Sequence, residues 1–384
     1  MLKKINWKSV VVCGLTVLII AFIAHYNLTN HTPDDKKVVR IAANFPLTGE
    51  VAIYGKSFQN GLLMSYEDNK NQIAGMVEFD WGDNQFSSMS TISVLQKQLF
   101  KNPTIYTSAL KPQTDAVSSQ ISEVGIPHFV WIPDRKINQN QKHNNFRTWV
   151  NLQNEADYFV NYVMKLKADK VVIFHTTTAA SHEIYKHYIS EQLKQKNNDI
   201  QILLLEFPAG GVSDIRTLVQ KAEQFKPEAI IINGFIQQMT SVVQLLKSYD
   251  VIENNRILAS FDILDALDSI EHSVSNDLIV VAPQYMVHST DKELEWAKRY
   301  RSLYKEEPNY HAAFAYDMGL VIWDSMKRLN LPATSEQWIK AIQETDIEGI
   351  TGRITFDKKG DIQTKMYLST IKDGKIVPVE SEQE

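Results

Sequence analysis

From Lys36 onward, hydrophobic positions fall into short β-branched runs separated by longer amphipathic stretches. The runs predict strands over Val38–Ala43, Met76–Asp80, Ile126–Trp131, Lys170–Phe174, Ile200–Glu206, Ala229–Ile232, Arg256–Leu258 and Leu278–Val281. Between them the spacing predicts helices over Phe58–Asn69, Thr91–Phe100, Glu155–Lys165, Glu183–Lys194, Ile215–Phe225 and Met239–Ser248. Alternating strands and helices make parallel sheets covered on both faces, the α/β class. Eight such strands are more than one sheet holds comfortably, so two sheets in two lobes are expected. Helical patterns then cover Lys292–Lys305 and Ala312–Leu329. The tail, Gly349 to Val379, reads as three short strands with turns at Lys359-Gly360-Asp361 and Lys372-Asp373-Gly374. The polar run Asn140–Asn145 reads as a flexible loop and a first crossing between lobes.

Residues 1–35 follow a different pattern. Lys3, Lys4 and Lys8 precede an apolar run from Val10 to Ala24 that only Thr16 interrupts. That is an export signal, with the polar remainder translocated. Cleavage after Ala21 or Ala24 would place Ile19 or Phe22 at the −3 position, where a small residue belongs. The lone cysteine, Cys13, has some eleven apolar positions after it, so it does not close the run as a lipoprotein cysteine would. An uncleaved anchor fits better. Trp7 to Tyr26 spans about 30 Å as helix, a bilayer core with an aromatic residue at each interface.

Composition narrows the function. The 40 Lys and Arg against 45 Asp and Glu leave a net charge of −5, which argues against nucleic acid as a partner. One cysteine excludes an intrachain disulfide and a multi-thiolate zinc site. His182-Glu183 and His187 suggest a zinc helix, but their spacing is five rather than the four of HExxH. On an α-helix a spacing of five sets His187 about 140° around from His182, off a shared ligating face. His175, at the end of a predicted strand, reads as a cleft-lining or a satisfied loop histidine. There is no GxSxG elbow, GxxxxGK[ST] loop or GxGxxG fingerprint. Neither an enzyme nor a cofactor or metal is expected.

Four stretches carry a resemblance. Ile41 to Asn71 holds Pro46-Leu47-Thr48-Gly49, Tyr54-Gly55 and Asn60-Gly61. Phe207 to Gly234, Pro308 to Met326 with its Ala-Tyr-Asp, and the hairpin Gly349 to Val379 follow in order. Together they resemble the type I periplasmic binding proteins of branched-chain amino-acid ABC importers. The resemblance implies two lobes joined by three hinge crossovers, 36–147 plus 284–350 and 148–283 plus 351–384. It implies a small ligand captured between them by hinge closure, and delivery to an ABC permease at the cytoplasmic membrane. A sensor of the same fold, tethered by the anchor and signalling to a partner protein, is the alternative.

The resemblance also implies site residues. Tyr54 falls at the family's aromatic position near the first helix, and Phe235 where the family often has Tyr. Asp262 falls where amino-acid binders place the acid that pairs with the ligand ammonium. Ordinary alternatives stand beside each: core packing for Tyr54 and Phe235, and a cap for a helix over Ile263–Ile270 for Asp262. Thr107, Ser108 and Thr114, read as loop residues, are the candidate hydrogen bonders for a ligand carboxylate. Lys111, Pro112 and Pro133 interrupt the family pattern there, and Ser181-His182 replaces the family's Tyr-Gly. Arg135 or Lys111 could grip an anion or simply be solvated loop charges.

Overall fold

The structure is a computed structural model. It describes residues 38–379 apart from 50, 74, 134–136, 138–142, 151, 179–180, 209–213, 268–269 and 288–289. The expected anchor at 7–26, Cys13 and Arg135 lie outside the described residues. Among the described residues no helix is long and apolar enough to cross a membrane.

Two main sheets form, in the α/β manner expected. The first contains β1 (Val38–Phe45), β2 (Met76–Asp83), β3 (Ile105–Ala109), β4 (His128–Trp131) and β5 (Asn145–Arg147). Its order is β2-β1-β3-β4-β5 and every pair is parallel. The second contains β6 (Lys170–Thr176), β7 (Gln201–Phe207), β8 (Ala229–Ile232), β9 (Ile257–Ala259) and β10 (Ile279–Pro283). To these the chain adds, after β11 (Asp346–Glu348), β12 (Arg353–Phe356) and β13 (Ile362–Gln363), the closing hairpin β14 (Met366–Lys372) and β15 (Lys375–Pro378). The second sheet runs β15-β14-β10-β9-β8-β6-β7, while β11, β12 and β13 form a small antiparallel sheet. Parallel strands must be apolar on both faces because helices cover both. Thus all four residues of β8 are buried, and each isoleucine there contributes about 1.5–3 kcal/mol.

Three parts of the chain depart from the expected pattern. Residues 105–109 are a buried strand, not a loop, because Thr107 and Ser108 find partners inside the protein. Pro112 starts a helix, Lys111–Val124, since proline at the first turn lacks only an N–H that would go unbonded there. That helix ends at Gly125, whose φ of +78° suits glycine. Asn144 and Asn145, expected in a flexible loop, are both buried. Asn145 opens β5, and the Asn144 amide donates to the Ile126 carbonyl at 2.7 Å.

The chain passes between the sheets after β5, after β10 and before β14, giving the two lobes and three crossings that the resemblance implies. The first and third passages are fastened together. Arg147, fully buried, pairs through Nε with Asp361 at 2.5 Å and donates to the carbonyls of Trp149 and Val150 at 3.2 Å each. Its own N–H donates to the Gly360 carbonyl, and a Cβ on Gly360 would collide with the Asn145 carbonyl oxygen. The φ of +84° at Gly360 adds a second reason for glycine.

Helix Tyr310–Arg328 returns to the first sheet and packs along helix Ala52–Asn69. The approach is so close that a Cβ on Gly61 would meet the Ala312 carbonyl. Asn309 caps the returning helix by accepting from Ala312 N at 3.0 Å. Asp317, from its Ala-Tyr-Asp, accepts the Ile350 and Thr351 N–H groups at 2.7 Å each. That helix therefore fixes the start of the closing strands as well as the place of its own first turn.

Candidate functional site

Beyond the carboxyl ends of the second sheet's strands, short polar side chains stitch neighbouring loops together. Ser181 Oγ accepts from Thr176 N at 3.1 Å and donates to Asn233 Oδ1 at 2.6 Å. Asn233 in turn reaches Ser260 Oγ at 3.3 Å. The ends of β6, β8 and β9 are thereby held at fixed positions. Ligands of open α/β sheets sit at this end.

Asp262 emerges from this frame inside a 3-10 helix, Phe261–Ala266, whose N-cap is Ser260. The carboxylate is therefore in the first turn rather than capping a helix. It accepts the Tyr310 hydroxyl at 3.0 Å, a bond from the helix on the first sheet to a loop of the second. Burial pushes Asp262 up to about 6, against the pull of the Tyr310 bond.

Glu155, in the first turn of helix Leu152–Lys165, lies beside it. It accepts the Tyr185 hydroxyl and the Phe261 N–H, the latter at 2.8 Å. Burial chiefly, and the charge of Asp262 in addition, push it up to about 8. Glu155 thus has a carboxylate rather than a cation as the charge acting on it.

Around them is an aromatic cluster. Tyr310 packs against Phe261 at 4.7 Å and Trp149 at 5.6 Å between centroids. The His311 ring meets Tyr54 and Phe58 edge-on, at 4.9 and 5.0 Å, and Trp149 at 5.3 Å. Phe58 is stacked on Trp131 at 4.3 Å. Burial lowers His311 to about 3, so the ring is neutral at physiological pH. The cluster joins the first sheet's helices to the first crossing and to the loop after β9.

Of the expected residues, Tyr54 and Asp262 enter this region. Tyr54 is half-buried, edge-on to His311, and Gly55 beside it admits the Pro46 carbonyl where a Cβ would clash. Phe235, at the start of helix Ile236–Ser248, is 51% exposed, so core packing does not account for it. Thr107, Ser108 and Thr114 stand apart from the acids, in and after β3. Ser108 Oγ is 2.9 Å from Thr114 Oγ1 and 2.8 Å from His128 Nε2, and His128 Nδ1 is 3.1 Å from Asn145 Oδ1. Thr107 Oγ1 reaches Met318 Sδ at 3.8 Å. Lys111 pairs with Asp115 one helical turn on, at 2.8 Å.

The sequence reading missed Glu155, Trp149, Phe261, Tyr310 and His311. Tyr310 and His311 sit inside the quoted Pro308 to Met326 stretch, and two rings opening a helix behind an Asn cap were the available signal. Glu155 gave none, because a glutamate in a first helical turn is commonplace. A concavity of about 500 Å³ lined by Lys167, Glu228, Glu253 and Arg256 lies at the opposite, amino end of the second sheet.

A family model described as periplasmic binding protein matches residues 38–375. The chain belongs to that family. Its fold is close to solved solute-binding proteins of ABC transporters. The leucine binding protein LivK of Thermotoga maritima is 18% identical with a TM-score of 0.73, covering 88% of this chain and 97% of that one. LivJ of Streptococcus pneumoniae, solved with isoleucine, is 20% identical with a TM-score of 0.74, covering 88% and 98%. A solute binding protein of Rhodopseudomonas palustris, solved with 3,4-dihydroxybenzoic acid, is 16% identical with a TM-score of 0.76, covering 88% and 95%. No curated protein matches the sequence.

Proposed function

We propose that this periplasmic binding protein captures a small solute carrying a cationic group, an amino acid being the simplest, and presents it to an ABC importer. The observation that supports the reading is the pair Asp262 and Glu155. Both are acids pushed upward by burial, and the charge acting on Glu155 is that of Asp262 rather than of a cation. An ammonium group beside Asp262 would relieve that penalty and form a charge-assisted hydrogen bond.

On this reading Asp262 touches the ligand, Glu155 sets the local charge, and Tyr54 and Phe235 supply apolar contact. The lobes are 36–147 plus 284–350 and 148–283 plus 351–384. Ligand contacts to both favour the closed arrangement, which a permease would recognise. The apolar run at 7–26 tethers the protein outside the cytoplasmic membrane.

Thermal unfolding of the full chain against amino acids, polyamines and aromatic acids tests this. A ligand at 100 times its Kd adds about 2.7 kcal/mol, readable as a rise in Tm. The expected result is a response to amino acids that Asp262→Asn removes while its unliganded Tm stays near that of the parent. A response confined to benzoate-like anions and kept by Asp262→Asn would overturn the cationic-solute reading.

A further inference from the structure

A second constellation stands at the far edge of the second sheet. β7 is the edge strand, and its parallel register places Glu206 opposite His175 of β6. The segment His182–Tyr188 is a π-helix, with the Ile189 N–H donating to the Ile184 carbonyl five residues back. The α-helical angle that excluded a pairing of His182 with His187 does not apply to such a turn. His187 is nevertheless exposed, and His182 turns toward the strands instead. Its Nε2 lies 2.7 Å from Glu206 Oε2, while His175 Nδ1 lies 3.8 Å from the same oxygen. One ligand atom from each of the three residues falls within 4.8 Å of the others.

We propose that His175, His182 and Glu206 form a binding site for a divalent transition metal, best suited to Zn²⁺. Two imidazoles and one carboxylate are a borderline-to-hard donor set of the kind zinc takes in open sites, with the fourth position left to water or another ligand. Tetrahedral zinc with bonds near 2.1 Å keeps its ligand atoms about 3.4 Å apart. The present separations bracket that value, so shifts of about 1 Å seat the ion. The residues that must move can do so: His182 and Glu206 are 34% and 40% exposed, whereas His175 is 1% exposed and fixed by its strand.

Supporting bonds orient the ligands. The His182 N–H donates to the Thr178 carbonyl at 3.0 Å, and Ser181, next in the chain, is held by Thr176 and Asn233. Two groups compete with a metal: the Thr176 carbonyl, 3.3 Å from His175 Nδ1, and Lys186, whose Nζ lies 3.5 Å from Glu206 Oε2. The long, partly exposed Lys186 side chain can swing to solvent when a metal takes the carboxylate. The site is two to three strands from Asp262, or about 10–14 Å at the usual strand spacing, so it is separate from the solute position.

The test uses the full chain, free of any histidine tag and stripped with a chelator, titrated calorimetrically with Zn²⁺ and spectroscopically with Co²⁺. One saturable site with the visible bands of tetrahedral cobalt is expected. Loss of an outer-sphere partner typically weakens metal binding by about 10–100-fold, so removing a ligand should cost at least about tenfold. His182→Ala and Glu206→Gln are the deciding variants, because both positions are exposed and tolerate change. Lys186→Ala should tighten binding, and the exposed His187→Ala should leave it unchanged. Failure of the parent protein to bind either metal, or binding untouched by both deciding variants, would overturn the proposal.

Discussion

On the first-sheet side, Ser108, Thr114, His128 and Asn145 pass hydrogen bonds among themselves, and burial lowers His128 to about 3. On the second-sheet side, Glu155 and Asp262 are pushed up by burial, to about 8 and about 6. The four side chains of the first side close their hydrogen bonds on one another, and the rings of Phe58, Trp131 and His311 pack, buried, nearby. The second keeps two acids whose charged forms the protein alone does not favour. A fully satisfied network rigidifies, whereas a group held away from its preferred charge state is poised to respond to a partner. One wall is shape, and the other is unspent charge.

The contrast requires the two walls to be held in register, and Arg147 is where that is most exposed to attack. It is buried at the first crossing, paired with Asp361 at the third, and takes two carbonyls of the 149–150 turn. Removing one member of a buried pair costs about 3–5 kcal/mol, because the other charge is left uncompensated. Asp361→Ala should therefore lower the stability of the whole chain by that amount in denaturant titration. A loss under about 1 kcal/mol would mean that the two crossings are independent.

The strands that build the walls were legible where the chain is apolar on both faces, as in Ala229–Ile232, and where turn chemistry is local, as at Asp373-Gly374. β3 was not. Its Thr107 and Ser108 look like loop residues because their burial depends on partners such as Met318, Thr114 and His128, at positions that hydropathy does not reveal. The acidic wall was half legible. Asp262 follows a strand in a place the family resemblance marks, whereas Glu155 lies over a hundred residues away and reaches it only through the loop at Phe261. The same limit hid the metal constellation. His175 and Glu206 are neighbours through strand register, and His182 joins them because its helix begins as a π-turn.

A smaller effect is expected at the bond that joins the walls. Tyr310→Phe keeps the ring among Trp149 and Phe261 but deletes the hydroxyl donated to Asp262. A hydrogen bond to a charged group contributes about 1.5–3 kcal/mol, which here would favour the closed arrangement by about tenfold or more. Small-angle scattering of the unliganded variant should show a larger radius than the parent. An unchanged radius would mean that aromatic packing, not this bond, holds the walls together.

The smallest effect isolates the charge itself. Glu155 is pushed up from 4.5 to about 8, so the folded chain holds its proton more tightly than the unfolded chain. The stabilisation that this provides is complete below the unfolded value and is lost as pH rises through the folded one. Histidines 128 and 311, lowered to about 3, act in the opposite sense, mostly as pH falls below 6.5 and only in part above it. Asp262 and Asp317, at about 6, have completed most of their change by pH 7. Between pH 6.5 and 8, therefore, the slope belongs mainly to Glu155, and stability should fall by about 1–2 kcal/mol across that window. Glu155→Gln should flatten the slope, as should a saturating cationic solute, which lowers the pKa of both acids. Affinity for that solute should rise over the same interval as the carboxyls ionise. If the variant keeps the slope, the charge is stored elsewhere, and the acidic wall is as settled as the aromatic one.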